Sequence, residues 1–214
     1  MDIRARARCA DHEEDIPVAW LGMMLALPGV ALNTFLSKKK PLELSGTWRK
    51  LYLAGAVAVN LLMGVLFLVR EVDPAIQAIR WFLTNLMLLM AATDLREMSV
   101  YDLHFRIMLL GGAVSAFLQN GVRFWEMYLL FAVLYGALKL LSRKNSQLGM
   151  GDSRMIACLA LYFPFARWAE ILILSLFFAL IYGVAGIIRK KKTTKSELPF
   201  APFLLIGTLA DYFF

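Results

Sequence analysis

Apolar residues in this chain come in long unbroken stretches. They show neither the two-residue alternation of half-buried strands nor the narrow stripe of a soluble amphipathic helix. Eight stretches approach the roughly 20 residues that a helix needs to cross a bilayer: 17–36, 51–69, 75–93, 103–119, 124–141, 153–166, 168–188 and 198–214. In lipid every backbone N–H and C=O must be satisfied internally, which leaves helices or a closed barrel. The pattern therefore predicts an all-α polytopic membrane bundle of about eight transmembrane helices, with 1–214 as one membrane-embedded domain. The sixth stretch is short. The eighth carries Pro199 and Pro202 early, where a helix tolerates them. The third has Gln77 and Arg80 near one end, which predicts snorkelling or tilt.

Composition sharpens this picture. Of 214 residues, 60% are hydrophobic and 18% charged, against about 45–50% and 25% in soluble domains. The net charge of +7 could suggest nucleic acid, but its distribution speaks for a membrane. Basic residues stand in clusters between apolar stretches: Lys38-Lys39-Lys40, Arg49-Lys50, Arg143-Lys144 and Arg189-Lys190-Lys191-Lys192. With the connecting loops assigned alternately to two sides, one side holds fifteen Lys and Arg. The other holds seven, including Arg4, Arg6 and Arg8 of the tail. The richer side is expected to be cytoplasmic, with both termini outside. No signal-peptide cleavage pattern is visible, so the first stretch is expected to be retained.

Two acids fall at stretch ends on the basic side. Asp152 closes Gly149-Met150-Gly151-Asp152, which opens the sixth stretch. The plain role is a helix N-cap. The functional role is an acid held at the membrane edge, with Gly149 and Gly151 allowing backbone and substrate to approach. Asp94 directly follows the run Asn85 to Thr93. At the negative end of its helix an acid gains nothing as a cap. Two carboxylates facing one cavity titrate as a coupled pair, one ionised and one protonated. Such a pair supplies a general base for water and a general acid for a leaving amide.

The remaining candidates receive plainer roles. Asp102 rivals Asp94 as first acid, with N-capping of the fourth stretch as its expected role; Arg96 and Glu97 are expected to be solvated loop charges. His12 and His104 are the only histidines, Cys9 and Cys158 the only cysteines. No HExxH, CxxC, GxSxG or Walker pattern occurs, which argues against zinc, serine and nucleotide chemistry. His104 is expected at the interface. Asn33, Asn60 and Asn85 are expected to hydrogen-bond between helices, and Gly111-Gly112 and Gly183-x-x-Gly186 to permit close helix contacts.

Four elements, in order, resemble the type IV prepilin peptidase family. Asp94-Leu95-Arg96-Glu97-Met98-Ser99-Val100-Tyr101-Asp102 resembles its first aspartate motif. Gly149 to Ala157 resembles its GxGD motif. Glu197-Leu198-Pro199-Phe200-Ala201-Pro202-Phe203-Leu204 resembles its Pro-Phe-Gly-Pro-Phe stretch, and Gly29-Val30-Ala31-Leu32-Asn33 resembles part of its first helix. The resemblance implies a GxGD aspartyl membrane peptidase with Asp94 and Asp152 catalytic. It implies removal of a basic leader from a pilin-like or pseudopilin precursor at the cytoplasmic face, with no metal or other cofactor. Tyr101 stands where the family has Pro, Arg154 where it has Lys, and Ala160 and Ala201 where it has Gly. No cysteine-rich domain follows the first stretch, as expected of a compact form without methyltransferase activity. Readings from other classes are a proton- or ion-coupled carrier and a degenerate assembly scaffold. A presenilin-type GxGD protease would carry Tyr before its first Asp, where this chain has Thr93.

The charge asymmetry predicts that the loops near Lys40 and Lys191 share one face. Single cysteines placed there should react with an impermeant thiol reagent only from the cytoplasmic side; reaction from outside in intact cells would overturn the orientation.

Overall fold

The computed structural model describes residues 46–69, 73–120, 124–144, 149–189 and 198–213. The first stretch, with Cys9, His12, Asn33 and the Lys38–Lys40 cluster, lies outside the described residues, as does Lys190-Lys191-Lys192. Seven helices form among the described residues. They are α1 (Gly46–Val69), α2 (Pro74–Glu97), α3 (Asp102–Asn120), α4 (Phe124–Lys144), α5 (Met150–Leu159), α6 (Phe165–Ile188) and α7 (Ala201–Asp211).

The expected all-helical membrane architecture holds; among the described residues, two of the eight expected spans, the sixth and eighth, are not long enough to be spans. Among the described residues, four helices are long and apolar enough to cross a membrane: α1, α2, α4 and α6. The sixth and eighth stretches form α5 and α7, of ten and eleven residues. At 1.5 Å per residue these are only about 15–17 Å long, about half the hydrocarbon thickness. α5 stops because the chain turns at Ala160–Phe163 ahead of Pro164. Its apolar character has another cause than lipid: Met155 to Leu159 are buried in protein. A short apolar helix is tolerated at membrane depth when longer helices enclose it.

α2 is the central post and packs against α1, α3 and α7; α5 lies against α3 and α4, and α7 against α6. Met87, Met90, Met108, Met155, Leu159 and Leu204 form much of the shared core. Polar fastenings pin the helices. Asn60 Nδ2 donates to Asn85 Oδ1 at 3.0 Å, and Trp81 Nε1 donates to Asn60 Oδ1 at 2.9 Å. This is the interhelical role expected of Asn60 and Asn85. Trp168 Nε1 donates to the Ile156 carbonyl at 2.8 Å, and the Tyr162 hydroxyl to the Met108 carbonyl at 2.8 Å. Gln77 does not snorkel: it is fully buried, while Arg80 lies over the Tyr212 ring at 5.1 Å. His104 is likewise buried, its ring edge-on to Tyr101, instead of interfacial.

Glycine permits two close approaches. A Cβ on Gly112 would stand 2.8 Å from Leu161 Cβ, and one on Gly207 would stand 2.7 Å from the Ile171 carbonyl oxygen. The first was expected; the second, which seats α7 on α6, was not. At Gly183 a Cβ would meet nothing within 4 Å, so the close contact expected there is absent among the described residues. Gly207→Ala should therefore destabilise the bundle by about 1–3 kcal/mol, the usual range for overpacking. Gly183→Ala should be neutral or stabilising by up to about 1 kcal/mol through helix propensity. Thermal unfolding of both variants in detergent checks the contrast.

Candidate active site

Asp94 occupies the last turn of α2 and is only 5% exposed. The helix ends one turn later at Met98, which adopts a left-handed conformation (φ 50°, ψ 35°) and returns its N–H to the Asp94 carbonyl at 2.9 Å. A bulky residue with positive φ is strained. Here it turns the chain sharply across the rim toward α3.

The unexpected partner of Asp94 is the start of α7. The Ala201 N–H donates to Asp94 Oδ2 at 2.9 Å, and the Phe200 N–H donates to the same carboxylate. A helix begins with N–H groups that have no partner in their own helix. In α7 the N-cap Phe200 offers no side-chain acceptor, Pro202 has no N–H, and the N–H of Phe203 is taken by the Phe200 carbonyl. Asp94 fills the vacancy from another helix. The sequence reading that Asp94 gains nothing as a cap is true only of its own helix. The Pro199–Pro202 stretch marked the region as special without revealing what it touches.

Asp152 sits in the first turn of α5, three residues after the N-cap Gly149, so it is not itself the cap. Both motif glycines now have a physical role. A Cβ on Gly149 would press on Asp152 Oδ2 at 3.0 Å; one on Gly151 would stand 3.3 Å from Val100 Cβ. Gly149 thus leaves room for the carboxyl, and Gly151 seats α5 on the loop that leaves Asp94. Asp152 lies outside the four spanning helices. Burial, and secondarily the charge of nearby Asp94, push its proton affinity up to about 7. The charge of Asp94 thus reaches Asp152.

Asp102 belongs to a different contact. It is the first residue of α3, exposed, and paired with Arg154 of α5. The expected N-cap role falls to Tyr101, whose carbonyl accepts from the His104 N–H at 3.0 Å. Arg154 also lies over the Phe105 ring at 5.4 Å, clamping α3 to α5 beside the site. Glu97 accepts from the Tyr101 hydroxyl and pairs with Arg96 at 3.7 Å, so neither charge is simply solvated. No group of three or more His, Cys, Asp or Glu with metal-binding geometry occurs among the described residues.

Residues 81–184 match the sequence model of the Type IV leader peptidase family. The match includes both aspartates and both motif glycines, and stops short of the Phe200–Ala201 donors. No curated protein and no solved structure matches the chain significantly.

The raised proton affinity of Asp152 has a thermodynamic consequence. The folded protein holds this proton to about pH 7, whereas the ordinary value for the side chain is 3.8. The folded state gains from it at low pH and loses that gain as pH rises through about 7. Asp152→Asn has no such proton to lose. The melting temperature of the variant relative to the parent should rise between roughly pH 4 and pH 7 and then level off. A difference independent of pH would show that Asp152 titrates normally.

Proposed function

We propose that this chain, whose residues 81–184 match the type IV leader peptidase family, is an aspartyl endopeptidase of the membrane. It removes the basic leader of a pilin-like or pseudopilin precursor at the cytoplasmic rim, with Asp94 and Asp152 as the catalytic pair. The observation that supports this reading is the meeting of two carboxyls at one end of a helical bundle, one of them holding a proton to about pH 7. That end also receives Arg96, Arg143, Arg154 and Arg189, the basic-rich side.

Roles follow from the surroundings of each acid. Asp94 accepts hydrogen bonds from the backbone N–H groups of α7, and such bonds favour the ionised form of a carboxyl. It suits the general base. Asp152 suits the general acid, because it keeps its proton near neutral pH. Asp94 takes a proton from water as the water oxygen bonds to the scissile carbonyl carbon. Asp152 then gives its proton to the departing amide nitrogen as the C–N bond breaks. A precursor helix must unwind locally before its carbonyl can be reached, which a glycine at the cut makes easier. A carrier would place its acids near mid-membrane; these lie at helix ends facing the rim.

Asp94→Asn and Asp152→Asn should each remove nearly all processing, with non-additive loss in the double variant. Gly149→Ala should reduce processing by displacing the Asp152 carboxyl. Asp102→Asn should be mild, since an exposed ion pair contributes only about 0–1 kcal/mol. Activity should fall as pH rises above about 7, when the pair loses its last proton. Gel-shift processing of a co-expressed pilin-like precursor reads the variants; normal trimming by both aspartate variants would sink the peptidase reading.

A further inference from the structure

The end of the bundle opposite the aspartates holds a cavity of about 230 Å³. It is formed where the start of α2, the end of α3, the start of α6 and the end of α7 converge. Arg80 and Asp94 are fourteen residues apart on α2, so about 21 Å of helix separates this cavity from the rim. The proposed peptidase chemistry makes no use of it.

Its walls are of two kinds. Ile76, Ile79, Leu83 and Phe163 make an apolar side; Arg80, Arg167, Gln119 and Asp211 supply polar groups. Arg167 donates to the buried Asp211 at 3.4 Å and to Glu170 at 3.3 Å. Asp211 thus holds one guanidinium in place. Arg80 is held differently, over the face of Tyr212 at 5.1 Å. No carboxylate among the described residues lies within ion-pair distance of it. Within the lining the two arginines face one acid, Asp211, while Glu170 pairs with Arg167 from outside it. The uncapped N-terminus of α6, at Pro164, adds its partial positive charge at the same wall.

A cation in a spanning helix is expensive without a partner. A guanidinium beside apolar walls matches an oxyanion tethered to an apolar body. Exposed Trp125 at the start of α4 marks this level as the polar–apolar boundary where lipid headgroups lie. We propose that the cavity is a phosphate site whose occupant is the phosphodiester of an anionic phospholipid, bound between Arg80 and Arg167 with its glycerol end against the Ile76–Ile79 wall.

The test is binding to the full chain purified in detergent, read by native mass spectrometry and thermal unfolding, so it does not depend on peptidase activity. Phosphatidylglycerol should be retained and should raise the melting temperature. Arg80→Gln should weaken its binding about tenfold, the scale of one charge-assisted hydrogen bond. Asp211→Asn removes the opposing acid and should strengthen binding; a purely structural Arg167–Asp211 pair predicts no gain. Inorganic phosphate should neither stabilise the protein nor displace the lipid. If it does both, the oxyanion site stands and the lipid as its source is wrong. Unchanged phosphatidylglycerol binding in both variants would overturn the site itself.

Discussion

The hydrogen bonds from the first turn of α7 to the Asp94 carboxylate join residues 107 apart in sequence, and much of the architecture depends on them. An acid in the final turn of its own helix stands at the negative pole. Burying it there is unfavourable unless a donor arrives from elsewhere. α7 is too short to cross a bilayer and begins with N–H groups that its own side chains leave unserved. Each element relieves the deficiency of the other. The contact therefore fixes how α7 docks on α2, and Gly207 then allows α6 to close over it.

The second acid is placed by subtraction. Gly149 has no Cβ where the Asp152 carboxyl lies, and Gly151 has none where Val100 packs. The left-handed turn at Met98 brings Val100 across the rim. One short loop thus links the geometry of both acids. Because Asp152 is desolvated beside a second carboxyl, it remains protonated at a pH where a surface aspartate is ionised. The asymmetry arises from surroundings, since the two side chains are chemically identical.

The two ends of the bundle carry opposite electrical arrangements. At one end a buried and a half-buried acid meet under a basic rim; at the other, Arg80 and Arg167 line a cavity beside Asp211, with Glu170 pairing Arg167 from outside it. The short helices α5 and α7 make both possible. Enclosed by longer neighbours, they bring polar termini into the protein interior, where α7 serves Asp94 at its start and offers Asp211 to the cavity at its end.

The sequence by itself determined a helical membrane protein, from unbroken apolar stretches and clustered basic loops. It also marked Asp94, Gly149, Gly151 and Asp152, because acids at stretch ends and paired glycines are anomalous in any apolar chain. Asn60 and Asn85 were legible for the same reason. It read the sixth and eighth stretches as spans, since an apolar stretch reads alike whether lipid or protein surrounds it; only packing made α5 and α7 interior helices. Nor could it reveal that Asp94 caps α7, that Arg154 holds Asp102, or that Arg80 shares a cavity with Arg167. Those pairings join residues many tens of positions apart, and no local period or propensity encodes them. Tertiary structure decided them, because unserved N–H groups, unpaired charges and missing side-chain volume are matched only when distant helices pack.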